Sequence, residues 1–313
     1  MLCIALVEQS LRQRHNCRVQ PLTGEVRMLA SGWQLVESPR WHHGRLWFSD
    51  WGSQQIIALD PAGKSEVVVS LATDRGRDSP LLPGPLCIAF LPDSRLLMVS
   101  GREALLLRRE NDGSVVIHAD LSTLSRYPWN DIVVDSRGNA YVGNAGFDFP
   151  AGSFAPGTLA LITPDGRTRQ VADELAFPNG MAVTPDNSTL IVAESYGQRL
   201  TAFDIAADGS LANRRLWASL GDGYPDGICL DSENAVWYGD VPNKRCVRVR
   251  QGGEVLATIN LDRGCFACAL GGNEQKTLFM LAAEWHGPKK MFQGPPTGQV
   301  LTCDAGAPGA GWP

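Results

Sequence analysis

Four oxygen-bearing side chains recur along this 313-residue chain, each just ahead of an apolar stretch. They lie in the segments Val36-Glu37-Ser38-Pro39, Trp129-Asn130-Asp131, Pro178-Asn179-Gly180 and Pro225-Asp226-Gly227. A single Asn-Gly or Asp-Gly pair is an ordinary turn former, so the signal is the recurrence of all four in phase. Two carboxylates and two amides, with no thiol or imidazole among them, suit a hard divalent cation such as Ca²⁺, Mg²⁺ or Mn²⁺.

The segments that carry these residues belong to a repeat of roughly 40–50 residues, which is the length of a β-propeller blade. Each repeat shows short apolar strands separated by turn pairs such as Pro-Asp, Asp-Gly or Gly-Asn. No segment has helical periodicity at helical length. The second strand of the repeat can be recognised six times, as Leu46–Ser49, Leu96–Val99, Ala140–Gly143, Leu190–Ala193, Val236–Gly239 and Leu278–Leu281. We therefore predict an all-β, six-bladed β-propeller.

A spare strand, Glu25–Leu29, precedes the first repeat, and the last repeat ends after Gln299–Cys303. Pairing the two would close the ring and cover an exposed edge. The predicted organisation is an N-terminal extension over residues 1–24, the propeller over 25–304 and a C-terminal tail over 305–313.

Blade geometry predicts where the four side chains meet. The start of a first strand and the end of a second strand lie on the same face of an antiparallel sheet, and first strands are innermost. The four residues should therefore converge on one mouth of the central channel. The corresponding positions of the second and sixth blades are apolar, near Leu86 and Ala267. An outer ring follows the second strands and consists of Asp50, Gly101, Asn144, Glu194, Asp240 and Glu284, whose acids either contact substrate or are solvated.

The same segments, in order and at blade spacing, resemble the gluconolactonase / senescence-marker-protein (regucalcin) family of six-bladed propellers, over roughly residues 25–304. The shared motifs are Glu37-Ser-Pro-Arg-Trp41, Trp129-Asn-Asp131 with Asp135-Ser-Arg-Gly138, Pro178-Asn-Gly180 and Pro225-Asp-Gly227 with Val236-Trp237. The resemblance implies one divalent cation (Ca²⁺, Zn²⁺, Mn²⁺ or Mg²⁺) held by Glu37, Asn179 and Asp226. It implies that Asn130 is a ligand or holds substrate beside the metal, and that Asp226 is also the general base or acid.

The activity implied by the resemblance is hydrolysis of sugar lactones. Two alternatives stay open: hydrolysis of organophosphates or aryl esters at the same site, and a non-catalytic calcium-binding regulatory propeller. No Gly-x-Ser-x-Gly motif occurs that would indicate a serine nucleophile.

One departure from the family bears on substrate. Many sugar lactonases carry an arginine that contacts substrate hydroxyls two residues before the Asn-Asp pair, where this chain has Pro128. A sugar-contacting acid of some members corresponds to Asp148, and Asn144 and His286 are further candidate substrate contacts. The mouth loops also carry the aromatic residues Trp51, Trp129, Phe147, Phe149, Phe154 and Trp285. We expect weaker dependence on sugar hydroxyls than in a strict gluconolactonase.

Bulk properties argue against some partners, while the small-molecule lactone substrate is what the resemblance implies. The net charge is −5 without a basic run, which argues against nucleic acid or an anionic membrane. The N-terminal sequence lacks a basic region and a clear cleavage site, so a cytoplasmic location with reduced cysteines is expected. Eight cysteines are too dilute for a disulfide scaffold. Cys265-x-x-Cys268 favours packing over a redox or zinc role, and His42-His43 are expected to be exposed on the face opposite the metal. The oligomeric state is not determined by the sequence.

Overall fold

A computed structural model describes residues 25–71 and 83–311, so the predicted extension over residues 1–24 lies outside the described residues. Six four-stranded antiparallel sheets account for all 24 strands of the described part. The prediction of a six-bladed β-propeller is therefore confirmed. Two single turns of 3-10 helix, Ser195–Gly197 and Pro288–Lys290, complete the regular structure of these residues. No helix in the described ranges is long and apolar enough to cross a membrane.

The first three blades run in chain order from the inner to the outer strand. Their strands are β2 (Val36–His42), β3 (Arg45–Asp50), β4 (Gln55–Leu59) and β5 (Ser65–Ser70) in blade 1, β6 (Leu86–Phe90), β7 (Leu96–Ser100), β8 (Leu105–Arg109) and β9 (Val115–Asp120) in blade 2, and β10 (Trp129–Val134), β11 (Ala140–Asn144), β12 (Gly157–Ile162) and β13 (Thr168–Leu175) in blade 3.

Blades 4 and 5 repeat this order, and blade 6 combines both ends of the propeller. The strands are β14 (Pro178–Val183), β15 (Thr189–Glu194), β16 (Arg199–Ile205) and β17 (Leu211–Ser219) in blade 4, β18 (Pro225–Leu230), β19 (Val236–Asp240), β20 (Arg245–Val249) and β21 (Val255–Asn260) in blade 5, and β22 (Gly264–Gly271), β23 (Thr277–Ala283), β24 (Gly298–Asp304) and β1 (Arg27–Trp33) in blade 6.

The ring closes through β1, which pairs antiparallel with β24 in a register that places Met28 opposite Leu301. The predicted closure is confirmed, although the strand begins at Arg27 and runs on to Trp33 instead of ending at Leu29. The extra length has a packing reason. The rings of Trp33 and Phe48 pack edge to face with 4.8 Å between their centroids, which anchors the end of β1 on blade 1.

The inner strands of five blades depart from regular pairing with their second strands, namely the four that carry the motifs and that of blade 6, where the shift lies between Cys265 and Ala267. A register shift interrupts the pairing of the inner and second strands directly at each motif, in β2, β10, β14 and β18. The inner strand of blade 2, where the corresponding position is apolar, pairs with β7 without any shift. A bulge locally turns the strand and re-aims its side chains. The four motifs are therefore points where the inner strands depart from regular pleating at one end of the channel.

His42 is less exposed than expected. Its ring is partly buried and stacks on Phe90 with 3.7 Å between ring centroids. Burial, with a smaller contribution from the neighbouring His43, lowers the pKa of His42 to about 4. The expectation of two exposed histidines was wrong for His42, because the hairpin that carries it folds against the next blade.

The described part of the C-terminal segment, residues 305–311, crosses the face opposite the motifs. The backbone nitrogen of Ala310 donates to the carbonyl oxygen of Leu230 at 3.0 Å, and Ser232 donates to Pro308 at 2.9 Å. Gly309 and Ala310 line a cavity at that end of the channel together with inner-strand residues such as Arg40. These residues cover one end of the channel, which leaves the motif end as the open mouth.

Candidate active site

The four motif residues line one cavity at the open mouth. Its volume is about 220 Å³, many times the roughly 10–15 Å³ that a single water molecule requires. The side chains of Glu37, Asn130, Asn179 and Asp226 all contribute to its wall although they come from four different blades. The structure thus brings together residues that are separated in sequence by more than half the length of the chain.

Hydrogen bonds connect three of the motifs, two of them directly and the third through Ser195. Asn130 Nδ2 donates to Asn179 Oδ1 at 3.1 Å, and Asn179 Nδ2 donates to Ser195 Oγ at 3.3 Å. Ser195 Oγ in turn donates to the backbone carbonyl oxygen of Pro225 at 2.6 Å, one residue before Asp226. This chain fixes the two amides relative to blade 5. Ser195 was not singled out from the sequence; its position directly after the outer-ring residue Glu194 is the signal that could have found it.

The two carboxyl groups of the site have raised pKa values. Burial raises the pKa of Glu37 well above its usual range, and the nearby Asp226 carboxylate adds to the effect. Burial likewise raises the pKa of Asp226, together with the charge of Asp131, while a hydrogen bond from Asn179 acts in the opposite direction. Both carboxyl groups resist ionisation here because water is largely excluded and negative charges face one another. A bound cation would remove that penalty.

An ion pair lies next to the site on the inner strands. Arg40 Nη2 is 3.5 Å from Asp131 Oδ1 and donates to the carbonyl oxygen of Ile132 at 2.6 Å. Arg40 Nη1 donates to the carbonyl oxygen of Pro39 at 2.8 Å. The guanidinium therefore bridges blades 1 and 3 below the cavity. Arg40 partly offsets the charge of Asp131, whose pKa is nonetheless raised because burial outweighs the ion pair.

The glycines of two motifs are required by close approach of neighbouring inner strands. A Cβ atom on Gly180 would come within 2.5 Å of the backbone nitrogen of Ile228, and one on Gly227 within 2.8 Å of Ala267 Cα. Neither glycine has a positive φ angle. They lie inside strands and not in turns, so their role is to let three inner strands pack backbone to backbone around the axis. This packing holds Asn179 and Asp226 in place.

Substituting Gly227 by alanine should therefore destabilise the propeller. Overpacking an interior position typically costs about 1–3 kcal/mol, and the shift of β18 should also displace Asp226. Gly143→Ala is the matched control, because its Cβ would meet nothing closer than 3.5 Å. Urea unfolding of both variants measures the difference in the free energy of unfolding. Equal stability of the two variants would contradict this account of Gly227.

The outer-ring acids brace the mouth loops. Asp50 Oδ1 accepts hydrogen bonds from the backbone nitrogens of Leu35 at 3.0 Å and Gly52 at 3.1 Å. Glu194 forms a two-pronged ion pair with Arg199 through contacts of 2.9 and 2.7 Å. Both acids are buried and lie outside the cavity wall. The sequence left open whether these acids contact substrate or are solvated. Neither describes Asp50 and Glu194, which are buried outside the cavity wall.

Asp240 has the corresponding role in blade 5. It accepts from Asn243 Nδ2 at 2.9 Å and from Arg245 Nε at 2.8 Å. The Asp240 carboxylate is engaged by these partners and so orders the loop after β19. Glu284 is exposed and pairs with His286 at 3.2 Å.

Three predicted substrate contacts lie apart from the cavity wall. Asn144 Nδ2 donates to the carbonyl oxygens of Tyr127 at 2.8 Å and Pro128 at 3.1 Å, so its amide is occupied in shaping the loop ahead of β10. His286 is exposed and lines a separate groove. Asp148 is exposed and likewise does not line the cavity. Among the four residues predicted to contact substrate, Asn130 is the one that the structure places in the cavity wall.

The remainder of the cavity wall is largely aromatic. Trp51, Trp129, Phe149 and Trp285, which were singled out from the sequence, all line it. Phe147 and Phe154 instead pack behind Phe149 and Tyr196, with ring centroids 6.0 and 5.6 Å apart respectively. Sequence reasoning missed several lining residues that come from other loops and, for Phe266, from strand β22, namely Phe177, Tyr196, Tyr224, Val241, Phe266 and Met291.

The donor set of the cavity fits a hard divalent cation. All four motif residues offer oxygen donors, and the two carboxylates balance a double positive charge. Among residues 25–71 and 83–311, no group of three or more His, Cys, Asp or Glu side chains could hold a metal. A cation here would thus rely on the two amides as well as the two carboxylates. The described cysteines, including Cys265 and Cys268, are free thiols.

Comparison with protein families matches residues 35–284 to the family described as "SMP-30/Gluconolactonase/LRE-like region". Regucalcin of Xenopus laevis is 23% identical over 266 residues, which cover 82% of this chain and 85% of the relative. A 6-deoxy-6-sulfogluconolactonase of Pseudomonas putida is 26% identical over 162 residues, 50% of this chain and 56% of the relative. The diisopropyl-fluorophosphatase of Loligo vulgaris is 28% identical over 162 residues, 45% and 50% respectively.

Solved structures share the fold. A luciferin-regenerating enzyme superimposes with a TM-score of 0.74 at 20% identity, covering 91% of this chain and 97% of the other. A gluconolactonase from Xanthomonas campestris gives 0.70 at 22% identity, with coverage of 94% and 93%. A calcium-binding protein, regucalcin, from Agrobacterium tumefaciens gives 0.71 at 20% identity, with coverage of 90% and 93%.

Proposed function

Because the chain belongs to the SMP-30/gluconolactonase/LRE-like family, we propose that it is a metal-dependent hydrolase that opens lactones at the mouth of the propeller. The observation that carries the proposal is the convergence of Glu37, Asn130, Asn179 and Asp226 on one cavity wall. Relatives named as a sugar lactonase and a fluorophosphatase support hydrolysis as the class of reaction.

The proposed cation is held by Glu37, Asn179 and Asp226, with Asn130 at or next to it. The buried carboxyl pair, whose pKa values are raised, supports a site that is completed by positive charge. When bound, such a cation polarises a carbonyl group and lowers the pKa of a water molecule. A regucalcin described as calcium-binding supports Ca²⁺ first, with Zn²⁺, Mn²⁺ and Mg²⁺ as alternatives.

The side chains of the site then have distinct proposed roles. Asp226 accepts the proton of the attacking water and returns it to the leaving oxygen of the opened ring. Asn130, held by its hydrogen bond to Asn179, positions the ester group of the substrate. The aromatic wall excludes bulk water and so strengthens the electrostatic interactions within the cavity.

A second candidate is hydrolysis of phosphotriesters or aryl esters at the same site. The observation that favours it is the apolar wall, which would accommodate the neutral substituents of such substrates as readily as a lactone ring. A calcium-binding propeller without catalysis is the non-enzymatic alternative, and it predicts metal binding without turnover.

A substrate panel tests the proposal. Protein stripped of metal by a chelator and refilled separately with Ca²⁺, Zn²⁺, Mn²⁺ or Mg²⁺ should hydrolyse a lactone faster than a phosphotriester or an aryl ester, and only when a metal is present. The rates of hydrolysis are compared as initial rates of acid release. Metal binding without turnover of any lactone would contradict lactonase activity and favour the regulatory alternative.

A further inference from the structure

A second groove opens directly from the candidate active site. It has a volume of about 370 Å³ and lies beside the loops of blades 2 and 3 and the segment 288–293. We refer to it as the arm groove. It shares six lining residues with the catalytic cavity, and all six are apolar: Trp51, Pro85, Pro128, Phe149, Pro288 and Met291. The two spaces are therefore continuous through an apolar passage.

Pro128 is one of the residues that make this passage apolar. It lines both the cavity and the arm groove, and its ring supplies apolar surface without a backbone N–H. Trp51 cannot offer its indole nitrogen to a ligand, because that nitrogen donates to the carbonyl oxygen of Leu86 at 2.8 Å. A hydroxylated substituent entering here would lose its hydrogen bonds to water without replacing them.

Polar groups of the arm groove occur at its rim. Arg102 is exposed and its Nε donates to the carbonyl oxygen of Pro83 at 2.8 Å. Gln293 donates to the carbonyl oxygen of Lys289 at 3.4 Å. Phe292 lines the groove but not the catalytic cavity, and it packs partly buried against the core. An occupant would therefore meet mainly apolar surface, while the polar side chains of the groove, which include Lys289, are exposed to solvent.

We propose that the arm groove binds an apolar substituent of the substrate, so that the preferred substrates are lactones that carry an alkyl or aryl arm and not polyhydroxylated sugar lactones. The proposal rests on the lactone hydrolysis proposed above. The ring stays over Asn130 and Asp226, and the arm leaves through the passage past Pro128 and Met291. Phe292 is then a specificity-determining residue for the arm.

A homologous series tests the length of the arm. On δ-lactones with no side chain, a propyl chain, a pentyl chain and a heptyl chain, kcat/KM should rise by up to about fourfold per methylene, the value of a fully buried CH₂ group. It should level off when the groove is filled. Gluconolactone should be hydrolysed less efficiently than the pentyl lactone. A flat series, or a preference for gluconolactone, would overturn the proposal while leaving lactone hydrolysis intact.

Two variants localise the effect. Phe292→Ser should flatten the rise with chain length, so that kcat/KM falls more for the heptyl lactone than for the unsubstituted one, and Phe292→Leu should restore most of the rise. Phe154→Ser is the matched control, because Phe154 is an exposed mouth aromatic that lines neither space. An unchanged chain-length dependence in Phe292→Ser, with the fold intact by circular dichroism, would contradict the assignment of the groove.

A binding measurement separates this proposal from the proposed reaction. Alkyl δ-lactams retain the ring and arm but resist hydrolysis, and their binding to metal-free protein can be followed through tryptophan fluorescence, since Trp51 and Trp285 line the cavity. Affinity should increase with arm length. If the lactams bind in this way and no lactone is hydrolysed, the proposed reaction is wrong and the groove assignment stands. If lactones are hydrolysed and lactam affinity does not depend on arm length, the groove assignment alone is wrong.

Discussion

Replacing Asp226 by asparagine should abolish most hydrolysis even when the site is saturated with metal. The amide can still offer an oxygen ligand, but it cannot accept the proton of the attacking water. General-base catalysis typically contributes about 10²–10⁴-fold to a rate, and we expect a loss of kcat in this range. The other carboxylate in the cavity wall is Glu37, which is assigned to the metal and accepts a hydrogen bond from the backbone nitrogen of Ser38, so we do not expect it to take over the role.

The measurement must separate catalysis from metal binding, because the substitution also removes one negative charge from the site. Turnover of the best lactone should be recorded over rising Ca²⁺ concentrations until the rate is constant. Asp222→Asn provides the control, since Asp222 is an exposed acid paired with Arg245 on a mouth loop and its loss should leave kcat unchanged. Near wild-type turnover of metal-saturated Asp226→Asn would show that another group is the base.

Glu37→Gln should weaken metal binding strongly without loss of fold. Removing even an outer partner of a metal ligand costs about 10–100-fold in affinity, and we expect the loss of a directly coordinating carboxylate to exceed this. The metal-free variant should fold at least as well as the parent protein. The reason is that the burial and the repulsion from Asp226 that raise the pKa of Glu37 no longer oppose a neutral amide.

Calorimetric titration of chelator-treated protein with Ca²⁺ gives the affinity, and elemental analysis after exhaustive dialysis gives the retained metal. Glu66→Gln is the matched control, because Glu66 lies on the outer strand of the same blade and pairs with Arg45 at 2.7 Å on the surface. A full complement of metal in dialysed Glu37→Gln would remove this residue from the ligand set. Asp226→Asn and Glu37→Gln together distinguish loss of the base from loss of the cation.

The cavity also accounts for the way the family fold can serve different substrates. The floor is provided by inner-strand starts, where bulges and the close packing at Gly180 and Gly227 leave little freedom. The wall is provided by loops, among them those that carry Phe149, Tyr224 and Met291. Loop residues can vary without disturbing the floor, so under the proposed function the metal site and the substrate contacts belong to different parts of the structure.

Much of the architecture was predictable from local sequence. All six second strands, the closure by the segment beginning near Glu25 and the convergence of the four motif residues follow from turn pairs, strand length and position relative to a strand start. These features are encoded within a few residues, and the repeat places each one by rotation about the axis. The chemical role of Glu37, Asn130, Asn179 and Asp226 remains a prediction that the variants above test.

Tertiary structure decided what each nearby polar and aromatic side chain does. Asn144, Asp50 and Glu194 follow second strands just as expected, yet their atoms are taken up by loop backbones and by Arg199. Ser195 and Met291 reach the cavity from segments with no motif. Sequence order gives the end of a strand but not the path of the loop beyond it. That path depends on packing between blades, because each buried polar group must find a partner that a distant segment supplies.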